Sequence, residues 1–243
     1  MRKQQEPEIV RSTKIIVPYN NHRIAYLSPA VGPDSHRNVG QKILWQGLLV
    51  PHGDYTAPLI YAVYCSKLKN KPEFTYVLGK LKNNWLCVFN QDYWTDKGLY
   101  VMQDNKALGT SKPLPIKTLE RMLRTGKELN WGGVRVSADG SVRFAPKGSY
   151  RFEELTPEEL AKDGSMIAQY GLRGAELSGE ASATLPNKPR TYGIEVAEGK
   201  NPELRVSALF EFVSRLHFYG VEFEGDGNSY AFPVSAPNAK IFK

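Results

Sequence analysis

Residues 13–28 read TKIIVPYNNHRIAYLS, two runs rich in β-branched and aromatic residues around the pair Asn20-Asn21. Asparagine tolerates the positive φ that a type I′ turn requires at both central positions, so the stretch predicts a two-residue β-hairpin. That loop sets Val17 opposite Ile24 and Ile15 opposite Tyr26, bringing apolar side chains together on one face. The hairpin is followed by segments of a different period, and the alternation of the two kinds decides the fold class.

SPAVGPDSHR (28–37) reads as a loop, and the segment after it as a helix with Ser35 as N-cap, Val39, Ile43 and Leu44 on one face, and Gly47 as its stop. TAPLIYAVYCSKL (56–68) predicts a second helix, capped by Asp54 or Thr56, with Pro58 tolerated in the first turn. PEFTYVLGKL (72–81) predicts a third, with Phe74, Val77, Leu78 and Leu81 at helical spacing. WLCVFN (85–90) and GLYVMQ (98–103) are apolar on both faces and read as a central strand pair, separated by QDYWTDK. PIKTLERMLRTG (115–126) is an amphipathic helix ending at Gly126.

In VRVSADGSVRF (134–144) a three-residue loop sets Val136 opposite Val142 and Val134 opposite Phe144, a better apolar match than the two-residue alternative. That register also opposes Arg135 and Arg143, a repulsion that calls for a nearby carboxylate. Thr156-Pro-Glu-Glu159 is a capping box. SMIAQYG (165–171) and RTYGIEV (190–196) read as strands. PELRVSALFEFVSRLHF (202–218) reads as a helix through Val206, Leu209, Phe210, Val213 and Leu216, and GVEFEGDGNSYAF (220–232) as a hairpin turning at Asp226-Gly227, pairing Phe223 with Tyr230 and Val221 with Phe232.

Hairpins interspersed with helices, without strict β-α-β alternation, predict an α+β fold with a mainly antiparallel mixed sheet built from several hairpins and four to six packed helices. The 243 residues fit a single domain, 1–243, with 105–112 (NKALGTSK) as the place for a subdomain break. Cys65 and Cys87 lie in apolar runs without zinc spacing, so they read as reduced core thiols of a cytoplasmic protein. The polar start MRKQQEPEIVRS is not a signal peptide, no apolar run is long enough to cross a membrane, and no membrane partner is expected.

The net charge of +7 divides unevenly, +12 over residues 1–151 and −5 over 152–243. A basic front portion attracts polyanions, or docks on the acidic part of its own chain. Ser35, His36 and Arg37 at a helix N-terminus suit an anion, although Ser35 and Asp34 also suit simple capping and turn roles. Lys67, Lys69, Lys71 and Lys80 cluster around Tyr76, and Arg135 and Arg143 add charge, a pattern that fits phosphate contacts with base stacking. These residues lead the functional reading: a nucleic-acid- or phosphate-binding protein with a nucleic acid or other polyanion as partner.

Two further readings stand beside it. His52 and Asp54 with His36 could form the site of a hydrolase or transferase acting on a phosphorylated or nucleotide substrate, provided the two histidine loops converge. A protein–protein adaptor or structural subunit is favoured instead if a large apolar patch is exposed. Four scattered histidines give no metal spacing, no phosphate-cradling glycine motif is present, and the acidic-x-Lys resemblance at Glu198-Gly-Lys200 recurs by chance at Asp104-Asn-Lys106. No metal and no cofactor are expected.

Overall fold

The computed structural model describes residues 8–10, 14–129, 132–221 and 227–235. Its opening element is β1 (Glu8–Val10), followed by the hairpin of β2 (Lys14–Tyr19) and β3 (His22–Leu27), in which Ile15 faces Tyr26 and Val17 faces Ile24 as the sequence requires. Only Asn20 of the turn pair is left-handed, at φ 52°. With β14 (Val234–Ser235) these strands form a four-stranded sheet ordered β1-β2-β3-β14.

The larger sheet has ten strands. Its path is β10 (Arg190–Tyr192), β12 (Arg215–Val221), β11 (Glu203–Phe212), β5 (Trp85–Thr95), β6 (Gly98–Gln103), β9 (Val142–Pro146), β8 (Arg135–Val136) and β7 (Lys127–Glu128). Two more strands, β4 (Val31–Asp34) and β13 (Ser229–Ala231), pair with each other, and β13 also runs parallel to β5. Among the described residues only β10·β12 and β13·β5 are parallel, so the sheet is mixed and mainly antiparallel. The helices are α1 (His36–Trp45), α2 (Gly53–Cys65), α3 (Pro72–Asn83), α4 (Ile116–Arg124), α5 (Pro157–Leu160) and α6 (Gly164–Ser182). The fold is α+β.

Alternation along the strands sorts the core. Leu86, Val88 and Trp94 of β5, Leu99 and Val101 of β6, Leu209 of β11, and Leu216 and Phe218 of β12 join the main apolar cluster with side chains of α2, α3 and α6. The opposite face carries two smaller clusters. One places Val39 and Ile43 of α1 on Cys87 and Phe89, and the other places Leu119 and Leu123 of α4 on Tyr93, Tyr100 and Val142. The contact of α2 with α6 is close because Gly53 brings no side chain: a Cβ there would lie 1.8 Å from the Gln169 carbonyl oxygen.

The structure corrects several expectations. SMIAQYG is not a strand but the first half of α6, kinked where Gly171 takes φ 71°. Residues 202–218 are not a helix: β11 and β12 form a hairpin whose turn, Val213-Ser214, is left-handed at both positions. Residues 31–34 of the presumed loop form β4, and QDYWTDK is mostly the continuation of β5. The α2 N-cap is His52, which makes no side-chain cap bond, while the Thr56 hydroxyl donates to the His52 carbonyl. In the last segment Val221 pairs with Val206, and Tyr230 lies beside Leu86; Phe223 and Asp226, and with them the expected turn, lie outside the described residues.

The register of β8 against β9 is the rejected one, with Val136 opposite Arg143 and Arg135 opposite Phe144. Pairing with β6 already points Val142 and Phe144 towards α4 and Arg143 towards α2 and α6, and the observed β8 register buries Val134 in the main apolar cluster on the Arg143 side rather than matching it to Phe144.

Candidate functional site

Three strands meeting edge to edge at one end of the large sheet place their outward side chains in a row. Register sets Phe210 of β11 opposite His217 of β12, and Tyr219 of β12 opposite Tyr192 of β10. Trp85 begins β5 on the same side. The rings touch in sequence: Trp85 meets Phe210 edge-on at 4.2 Å, Phe210 stacks on His217 at 4.7 Å, and Tyr192 stacks on Tyr219 at 4.0 Å and 9°. The Arg190 guanidinium lies 4.9 Å from the Tyr192 ring centroid, a cation–π contact, and its Nε is buried without a hydrogen bond. None of these rings belongs to the three core clusters.

His217 knits the row together. Its Nε2 lies 3.3 Å from the Phe212 carbonyl and its Nδ1 3.1 Å from the Tyr192 hydroxyl, so the neutral ring donates to one and accepts from the other. Burial first, and then the neighbouring Arg215 and Arg190, hold its pKa below the ordinary histidine range. The β11–β12 turn extends the row into solvent, where Phe212 is 60% and Val213 61% exposed. Val213 and Ser214 adopt φ 49° and 51°. A β-branched residue in that region is strained, and such strain persists where surrounding structure or function demands it.

The residues singled out from the sequence are placed elsewhere. Asp34 occupies the α1 N-terminus itself, accepting from Ser35 N, Asn38 Nδ2 and Lys42 Nζ, and these contacts hold its carboxyl down at about 2. The chain's own carboxylate thus lies beside the position at Ser35, His36 and Arg37 read from the sequence as suiting an anion. Ser35 does cap, accepting from Asn38 N, and Arg37 is exposed. His36 is buried against the Phe89 ring at 4.5 Å.

His52 lies on the Tyr55 ring at 4.2 Å, with Nδ1 3.5 Å from Asp54. Burial pushes it down to about 4, against the pull of Asp54 and with the help of Arg143. The Asp54 carboxylate is taken up by Arg143 Nη2 at 2.7 Å and 3.0 Å and by Gln103 Nε2 at 2.9 Å, and Arg143 Nη1 also donates to the Ala168 carbonyl. This cluster ties α2, β6, β9 and α6 together.

The basic candidates do not share a wall. Lys67, Lys69 and Lys71 line the turn between α2 and α3. Lys80 sits over Tyr230 at 3.7 Å and Tyr76 at 5.5 Å, and Tyr76 is edge-on to Phe232. Arg135 lies three strands from β5, donating to the Leu123 carbonyl at the α4 C-terminus, where a cation is favoured. Arg143 points inward to Asp54. Among the described residues no group of three His, Cys, Asp or Glu side chains is placed to hold a metal, and no helix is long and apolar enough to cross a membrane.

Sequence reading missed Tyr192, Phe210, Phe212, His217 and Tyr219. Their signal was the alternation Ala208-x-Phe210-x-Phe212 followed by Arg215-x-His217-x-Tyr219, obscured because Val-Ser carries none of the glycine or asparagine marks of a tight turn.

No protein-family model and no curated protein matches the chain. A solved structure does, one described as accommodation of massive sequence variation in Nanoarchaeota by the C-type lectin fold, with a TM-score of 0.53 and 14% identity over 90% of this chain and 99% of that one. At that identity the likeness shows the fold.

Proposed function

We propose that this chain is a protein-binding module that docks a partner on the aromatic face formed by Trp85, Tyr192, Phe210, Phe212, His217 and Tyr219. The observation that carries this reading is a row of rings that no core cluster uses, partly exposed at Trp85, Tyr192, Phe210 and Tyr219 around the buried His217, ending in an exposed, strained turn. Tryptophan, tyrosine and arginine dominate the energetic centres of protein interfaces. Arg190 beside Tyr192 suits a partner whose apolar contact surface carries a carboxylate at its rim. A nucleic-acid platform needs open ring faces; here Tyr192 and Tyr219 cover each other, and of the two cations beside the row Arg215 is paired with Glu154.

A photo-crosslinking amino acid at position 212 is expected to capture a protein, and the same group at Lys117 on α4 is not. The captured protein, purified and titrated, should bind Phe210→Ala and Tyr219→Ala variants about 30-fold more weakly, the 2 kcal/mol scale of a hot-spot side chain. Unchanged affinity would overturn the proposal, and crosslinks to nucleic acid or to a second copy of the chain would replace it.

The turn gives a second expectation. Val213→Asn with Ser214→Gly relieves the left-handed strain and should raise the unfolding free energy by about 1–2 kcal/mol in urea titrations. Affinity for the partner should fall as the Val213 contact is lost.

A further inference from the structure

A separate cleft of about 370 Å³ opens at the far end of β5, lined by Thr95, Lys147, Tyr150, Phe152, Glu153 and Glu195 among others. That volume is in the range of small-molecule sites. Its floor is aromatic: Tyr150 and Phe152 lie 5.3 Å apart and both rest edge-on against the buried Trp94. Gly193 is needed for this arrangement, since a Cβ there would come within 2.4 Å of Phe152 and 2.5 Å of Trp94.

The charges around the floor are of both signs and unequally satisfied. Glu153 is engaged by Arg151 at 3.0 Å, and Arg151 also holds Glu159. Lys147 and Glu195, in contrast, have no ion-pair partner among the described residues. Thr95 spends its hydroxyl on Gly98 and Lys97, so it closes the end of the cleft without offering a free donor. An ammonium group and a carboxylate over two rings, none neutralised locally, match a ligand with the opposite pair of charges and an apolar side group.

We infer that this cleft binds a small zwitterion, a free amino acid or dipeptide with an aromatic or aliphatic side chain. Its carboxylate pairs with Lys147, its ammonium with Glu195, and its side chain lies on Tyr150 and Phe152. The cleft is distinct from the aromatic face and does not depend on the partner proposed for it.

The test is calorimetric titration of the intact chain with glycyl-L-phenylalanine, its N-acetyl derivative, its C-terminal amide and methyl glucopyranoside. The free dipeptide should bind with a Kd on the order of 0.1–1 mM, as expected for a ligand of that size. Each blocked derivative, and each of Lys147→Ala and Glu195→Gln, should weaken binding at least about fivefold. Both substituted side chains are exposed, and circular dichroism will confirm that the variants fold. Absent dipeptide binding, equal affinity for the blocked forms, tighter binding of the glycoside, or variants that bind as the wild type would each overturn the assignment.

Discussion

Arg143→Met should lower the unfolding free energy by about 2–3 kcal/mol, less than the cost of breaking a fully buried ion pair because both side chains keep some contact with water. Asp54 would keep Gln103 but lose two short bonds from the guanidinium. The Ala168 carbonyl in the first half of α6 would lose its donor as well. Adding Asp54→Asn to Arg143→Met should recover part of the loss, because the uncompensated charge is then gone. The nearby histidine supplies an independent readout. Arg143 lowers the His52 pKa and Asp54 raises it, so removing the arginine alone should move His52 upward from about 4. Urea titrations measure the first effect and imidazole NMR titration the second. A stability change under about 1 kcal/mol with His52 unmoved would mean that the pair is solvated.

Asp92→Asn should stabilise the protein at pH 8 and not at pH 4. Asp92 is fully buried in β5, where Oδ2 accepts from Ser207 Oγ at 2.6 Å and Gln169 Nε2 at 2.9 Å while Oδ1 has no partner. Burial raises its pKa to about 7, against the two hydrogen bonds. Between about pH 4 and pH 7 the fold therefore binds more protons than the unfolded chain, and stability falls as pH rises through that window. Three pKa units set an upper bound of about 4 kcal/mol on the cost at pH 8. Asparagine keeps the acceptor for Ser207 and Gln169 and carries no charge.

His52 works in the opposite sense. Its folded pKa of about 4 lies below the ordinary 6.5, so the unfolded state binds the extra proton and stability rises with pH between those values. In the wild type the two slopes oppose each other. In Asp92→Asn the histidine slope stands alone, and stability should drop visibly as pH falls from about 6.5 to 4. Urea titrations at pH 4, 5, 6 and 8 decide the matter; a gain equal at every pH would show that Asp92 is not ionised in the native state at pH 8.

The parts of the fold that were legible in the sequence are those fixed within a few residues. The Asn20 turn, the Ser35 cap, the apolar stripes of α3 and α4 and the Thr156–Glu159 capping box all formed as local chemistry dictates. The failures are long-range. Residues 165–171 mix good helix formers (Met166, Ala168, Gln169) with Ile167, Tyr170 and Gly171, so the short segment is ambiguous by composition; Gly53 of α2, which has no side chain, lets α6 pack closely there, and that contact decides for helix. Val206, Leu209, Phe210, Val213 and Leu216 match a helical period by coincidence. They form strands because β11 is held between β5 and β12. Ser229–Ala231 pairs with β4 and β5, some two hundred and one hundred and forty residues away along the chain, a partnership that no local turn signals.

The candidate site was hidden for the same reason. A helix at 202–218 would put Phe210 and His217 on one face and Phe212 on the other, whereas the hairpin sets Phe210, Phe212, His217 and Tyr219 on one side of the sheet. Charge misled in a different way: +12 over the front portion is a property of composition, and the fold distributes it to the α1 terminus, the α2–α3 turn, the α4 terminus and the Asp54 pair.

The most direct measurement is a titration of the captured partner, at about 50 mM and 200 mM salt, with Phe212→Ala and with the triple variant Lys67→Ala, Lys69→Ala, Lys71→Ala. Docking on the aromatic face predicts a loss of about tenfold or more for Phe212→Ala, a change within about twofold for the triple variant, and little dependence on salt. A triple variant that no longer binds, a fall in affinity of about a thousandfold between the two salt concentrations, and an unaffected Phe212→Ala would instead establish polyanion recognition by the lysines.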